Sequence, residues 1–80
     1  GGWPEAEALY RDALVETLAA LGDAHPRTID AMRDVGSALA AHGAVDEGER
    51  LLREAVDAGR RLHGPRHPSV AYSLSALATA

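Results

Sequence analysis

Apolar residues recur along this chain at three- and four-residue spacing in four successive stretches, each bounded by glycine or proline. In residues 4–21 the repeating positions are Ala6, Leu9, Tyr10, Ala13, Leu14, Leu18 and Leu21. That spacing predicts an amphipathic helix with those side chains inward. Pro4 suits its first turn, where a missing N–H is no loss. Glu5 and Glu7 complement the positive end of the helix dipole, and Gly22 stops it. Residues 26–42 form a second helical pattern, with Met32, Val35 and Leu39 on one face beside the small Ala31 and Ala38; Gly43 is expected to end it in a left-handed cap. A third runs over 46–63, with Leu51, Leu52, Ala55, Val56 and Leu62 inward, and Gly64-Pro65 closes it. The fourth starts at Pro68 and points Val70, Leu74 and Leu77 inward. No strand pattern occurs, and the short connections predict antiparallel neighbours.

The third stretch repeats the first. Slid by 42 residues, Glu5, Glu7, Leu9, Arg11, Ala13 and Leu14 fall on Glu47, Glu49, Leu51, Arg53, Ala55 and Val56. Gly22, His25 and Pro26 fall on Gly64, His67 and Pro68, and Gly1 falls on Gly43. A fixed period of this length marks a helical solenoid, a scaffold that binds far more often than it catalyses. Glu7/Arg11 and Glu49/Arg53 are equivalent i,i+4 pairs, and Asp46/Arg50 and Asp57/Arg61 have the same spacing. Such pairs are worth tenths of a kcal/mol and mark solvated faces.

Composition narrows the function classes. Eighty residues make one small domain that buries only about 60% of its unfolded surface. There is no cysteine, which excludes disulfides and thiolate metal sites. The net charge is −4, with eight arginines and no lysine; an acidic domain without a basic stripe argues against nucleic acid and anionic membranes as partners. No apolar run approaches the roughly 20 residues of a membrane span, and no leader-like segment opens the chain, so a cytoplasmic location is expected. The three aromatic residues are Trp3, Tyr10 and Tyr72. Trp3 and Tyr10 fall on Val45 and Leu52 and therefore read as core rather than as a binding platform.

The run Val35-Gly36, Leu39, Gly43, Val45, Gly48, Leu52, Ala55 resembles the tetratricopeptide repeat. The 42-residue period, with Leu21-Gly22-Asp23-Ala24-His25-Pro26 at the junction, is similar to the variant found in kinesin light chains. It also occurs in bacterial tetratricopeptide proteins attached to signalling nucleotide-binding ATPases. The resemblance implies an all-α fold, an α-α superhelix of antiparallel helix hairpins. The phase is the second helix of one repeat (3–21), a complete repeat (26–63) and the first helix of the next (68–80), as one domain over 1–80 and a piece of a longer array. Gly48 stands where Ala6 stands, and Ala78 where Gly36 stands; all four are small, so close helix contact survives. Gly48 and Gly59 each cost their helix about 1 kcal/mol.

In that family the first helix of each repeat lines a concave groove that receives partner peptides. The resemblance therefore implies a protein or peptide partner, contacted by Asp30, Arg33, Asp34, Ser37 and Ala40 of the complete repeat. Tyr72, Ser75, Ala76 and Thr79 of the last helix would also contact it. The chain departs from the kinesin-light-chain pattern, which has paired asparagines where Arg33-Asp34 and Ser75-Ala76 stand, and from the carboxylate-clamp pattern, which needs lysines. Arg33 offers a planar fork for a partner carboxylate; its plainer reading is a solvated arginine paired with Asp30. The expected role is an interaction module in a signalling or adaptor protein. The alternative is a structural self-association unit, because just under two repeats should leave Leu14, Leu18, Val70 or Leu74 on the outer helices exposed unless something covers them.

Neither catalysis, a cofactor nor a metal is expected. No serine–histidine–acid order, phosphate loop or HExxH occurs. His25 and His67 read as helix-starting loop residues that bond nearby backbone. His63 and His67 have metal-ligand spacing, but Gly64-Pro65 breaks the helix between them and no third ligand follows. Asp30 and Asp34 read as a solvated acidic pair.

Overall fold

The computed structural model describes residues 2–79, which form four α-helices: α1 (Trp3–Leu21), α2 (Pro26–Ala41), α3 (Val45–His63) and α4 (Pro68–Thr79). Gly1 and Ala80 lie outside the described residues, and with them the repeat match of Gly1 to Gly43 and the last residue of the expected fourth helix. No strand occurs among the described residues. The three residues with positive φ are Gly22, Gly43 and Gly64, one in each connection. At Gly43 (φ 103°) a side chain would be strained, and the chain there turns from α2 into α3 within three residues.

The helices stack as successive hairpins about the α2–α3 pair. α2 packs most extensively on α3, α1 packs on α2, and α4 packs on α3 while touching α2. Trp3, at the start of α1, stacks face to face on His42 at the end of α2 (3.7 Å between ring centroids, 3° between planes), which shows the antiparallel sense of that pair. The core is Ile29, Met32, Val35 and Leu39 from α2, Leu52, Ala55, Val56 and Ala58 from α3, and single contributions from Leu14 and Val70. Full burial of a side chain such as Ile29 or Leu52 stabilises by about 1.5–3 kcal/mol.

Two glycines bring the backbones of α2 and α3 into contact. A Cβ on Gly48 would lie 2.6 Å from the Gly36 carbonyl oxygen and 2.8 Å from the Ala40 nitrogen. A Cβ on Gly36 would lie 2.9 Å from the Gly48 oxygen. The helix-propensity cost of Gly48 is thus offset by a backbone-to-backbone crossing of α2 and α3 that brings Leu52 into complete burial.

Several expectations of burial are corrected. In α1 only Leu14 is buried; Leu9 is 71% exposed, and Tyr10, Ala13, Leu18 and Leu21 are also exposed. Trp3 is half-buried against the core, whereas Tyr10 is not core. The cause is visible in the repeat: the face of α1 equivalent to the buried face of α3 has no helix across it among the described residues. Leu51 is half-buried and Leu62 is exposed. In α4 Ser73, not Leu74, turns inward, its hydroxyl donating to the Ser69 carbonyl at 3.1 Å. Leu14 and Val70 are buried, as the helical pattern predicts, while Leu18 and Leu74 are exposed.

Arg11 joins α1 to α3. Its Nη1 and Nη2 donate to both carboxylate oxygens of Glu47 at 2.5 and 2.8 Å, and its Nε donates to Glu7 at 2.8 Å. The fork geometry matches the carboxylate and holds Glu47 below its ordinary range, while raising the guanidinium. The equivalent pair Glu49–Arg53 is looser, at 3.6 Å. Asp46 and Arg50, and Asp57 and Arg61, form no ion pair.

Two substitutions test this packing by urea unfolding. Gly48→Ala gains about 1 kcal/mol of helix propensity but forces α2 and α3 apart, and a net loss of about 1–3 kcal/mol is expected. Thr28 is fully buried with its hydroxyl unpartnered, and its repeat equivalent is the buried Val70. Thr28→Val should therefore raise stability by about 1 kcal/mol; a lower midpoint would mean that the hydroxyl is satisfied in solution.

Candidate functional site

The side chains expected to meet a partner lie on α2 and α4, whose outward faces are neighbours. Both helices begin alike. His25 precedes Pro26 and its Nδ1 accepts from the Arg27 amide at 3.1 Å; His67 precedes Pro68 and its Nδ1 accepts from the Ser69 amide at 3.1 Å. Each imidazole thus takes the place of the usual serine or aspartate N-cap, satisfying an amide that has no partner inside the helix. Nδ1 is occupied in both, which sets these histidines apart from a ligand or proton-transfer role at that atom.

Two shallow depressions open between the helices. One, of about 150 Å³, is lined by Ser37, Ala40, Ala41, Ala76 and Thr79. The other, of about 480 Å³, is lined by Asp30, Arg33 and Tyr72 together with Pro26, His63, His67, Pro68 and Ser69. The structure therefore brings Ser37, Ala40, Ala76 and Thr79 together at one end of the α2–α4 face and Asp30, Arg33 and Tyr72 at the other. Asp34 and Ser75 are exposed on the same helices but line neither depression.

Arg33 is the one cation of the larger depression with a fixed position. Its Nη2 lies 3.3 Å from Asp30 Oδ1, and its guanidinium carbon sits 5.6 Å from the centre of the Tyr72 ring. The side chain is only 23% exposed, against 56% for Asp30. The guanidinium thus crosses from α2 to α4, held by an ion pair on its own helix and a ring face on the other.

The sequence reading expected His25 and His67 to start helices and bond nearby backbone, as they do, but did not place His63 and His67 beside the groove. His63, at the end of α3, stacks on His67 with 3.9 Å between ring centroids. Parallel rings in contact do not converge their nitrogens on one point, and among the described residues no group of three or more histidine, aspartate or glutamate side chains is placed to hold a metal. A usable signal was present: a residue that caps a groove helix must stand beside the groove.

The family model for the tetratricopeptide repeat matches residues 1–27 and 28–69. The chain belongs to the tetratricopeptide repeat family. Its second match spans one 42-residue period, the same phase that places α2 and α3 in a single repeat. Over 73 residues, 91% of the chain, it is 34% identical to the human protein named tetratricopeptide repeat protein 19, mitochondrial, and 32% identical to the rat protein of that name. It spans about a fifth of the length of each (19% and 20%). No solved structure matches the chain. Tetratricopeptide repeats as a class mediate protein–protein interaction and act as scaffolds rather than enzymes. No helix among the described residues is long and apolar enough to cross a membrane.

The capping histidine can be separated from its ring stack by substitution. His67→Ala should lower stability by about 0.5–2 kcal/mol, whereas His67→Asn, which keeps an acceptor and loses the stack, should retain most of it. Equal losses in urea midpoint for the two variants would assign the effect to the His63 contact instead.

Proposed function

We propose that this tetratricopeptide domain seats an extended protein segment across the α2–α4 face, with Arg33 receiving a carboxylate of that segment. The observation that supports this reading is the position of Arg33, which bridges the two helices that line the face while its charge remains accessible. Tyr72 holds the guanidinium in one place, so less side-chain entropy is lost when a ligand docks. Asp30 lies at 3.3 Å and is mostly exposed, so a partner carboxylate replaces or joins a weak pair rather than a buried one. Ser37 and Thr79 supply hydroxyls at the other end of the face, and Ala40, Ala41 and Ala76 leave room for the backbone of the segment. Arg33, Ser37 and Thr79 are the anchors in this reading, and Asp34 and Ser75 form its rim.

Peptide display against the purified chain tests it directly. Enriched segments should carry an acidic residue or a free C-terminus, and Arg33→Glu should weaken their binding by at least roughly tenfold, as expected when a charged hydrogen-bonded partner is reversed. Arg33→Lys should weaken it less. Unchanged affinity in Arg33→Glu would remove Arg33 from the site.

A further inference from the structure

A histidine can cap the start of a helix only while it is neutral. Its Nδ1 must offer a lone pair to a backbone amide, which places the ring proton on Nε2. A second proton turns that acceptor into a donor facing another donor, and sets a positive charge against the positive end of the helix dipole. α2 and α4 are both capped in this way: His25 Nδ1 accepts from the Arg27 amide and His67 Nδ1 from the Ser69 amide, each at 3.1 Å. A serine or asparagine at the same place would hold its bond throughout the range in which imidazole titrates.

His67 differs from His25 in what surrounds it. The His63 ring, from the last turn of α3, lies against it with centroids 3.9 Å apart and planes 16° apart. Asp30 and Arg33 of α2 and Tyr72 of α4 line the same depression, and Arg66 precedes His67 in the chain. Among the described residues Asp30 is the one carboxylate lining it, and it already pairs with Arg33 at 3.3 Å. The groups facing the two rings therefore offer no uncommitted anion, and a proton on each ring puts two cations in contact beside a guanidinium. His25, with Asp23 and Arg27 as its charged neighbours along the chain, belongs to no ring stack among the described residues.

We propose that the stacked His63–His67 pair is a proton-operated latch: acid releases the first turn of α4 from its cap, and with it the wall of the depression that carries Tyr72. Nothing in this depends on what the α2–α4 face binds. Tyr72 follows Ser69 by three residues, so the ring that holds the Arg33 guanidinium stands one turn beyond the released amide. Acid thus unfastens Arg33 from α4, while its pair with Asp30 stays on α2.

The capped state binds fewer protons than the released one. By linkage the cap is complete above the ordinary imidazole range, about 6.5, and is lost as the pH falls through it. Carboxylates do not interfere there: ordinary ones titrate at about 4, and Arg11 holds Glu47 lower still. His42 has the opposite chemistry. Its Nδ1 donates to the Ala38 carbonyl at the end of α2, a bond that the imidazolium keeps, so acid does not weaken that helix end.

Urea unfolding and amide NMR of the whole chain, between about pH 7.5 and 5.5, test the latch. The unfolding constant should rise roughly tenfold on acidification, and His67→Asn, which caps without titrating, should leave no more than about a threefold rise. His25→Asn should keep the larger part of the rise, and His42→Gln all of it. In a His63→Ala background, the part removed by His67→Asn should shrink to the part removed by His25→Asn. In the unsubstituted chain the Ser69 amide signal should move together with the His67 ring signals, and further than the Arg27 amide moves with His25. A rise that His67→Asn leaves unchanged would overturn the proposal. So would a Ser69 amide that stays still while the His67 ring titrates, or an effect of His25→Asn as large as that of His67→Asn.

Discussion

Everything in this structure depends on how closely α2 and α3 approach one another. At Gly36 and Gly48 each backbone occupies the space where the other's Cβ would stand. Only because of that contact can Leu52 reach complete burial and Val35, Leu39 and Ala55 close around it. The resulting pair is the part of the molecule that most resembles an ordinary protein core, dense and free of charge. α1 and α4 are then placed relative to it rather than to each other. The cost is two glycines inside helices, roughly 1 kcal/mol each, and that cost is carried by packing that larger residues could not achieve.

The site inherits its geometry from the same arrangement. α2 and α4 present neighbouring faces because α3 lies behind both, and their starting points are fixed by the same device, a histidine whose ring nitrogen caps the first turn. Arg33 then needs no loop to position it. Its own helix supplies Asp30 three residues earlier, and the neighbouring helix supplies the ring of Tyr72. The polar groups of this face stand on regular helix, where their spacing is set by the backbone.

Much of the fold was legible in the sequence. The four helices and their ends followed from periodicity and from Gly22, Gly43 and Gly64, and the α2 and α4 positions proposed to meet a partner were chosen from the resemblance of the repeat. What was not legible concerned depth. Leu9, Tyr10 and Leu14 share a helical pattern, yet only Leu14 is buried, because periodicity gives the direction of a side chain and says nothing of what stands opposite. Ser73 and Leu74 exchange their expected places for a related reason: a serine whose hydroxyl returns to its own helix backbone can face inward, which a hydropathy pattern reads as polar. The spacing of His63 and His67 was visible but their contact was not, because it is a ring stack across a turn, outside spacing rules written for helices.

The single buried residue of α1 has a consequence for motion. A helix anchored by Leu14, one aromatic stack and one carboxylate–guanidinium grip can lift from the rest while the α2–α3 pair stays intact. Opening in such a molecule is graded from the edge inward rather than all at once. Amide protons of α1 would then exchange through this partial detachment, and those around Gly36 and Leu52 only when the whole chain unfolds. The outer helix behaves as a hinged flap on a permanent spine, its grip loosened by salt and by acid well before the spine gives way.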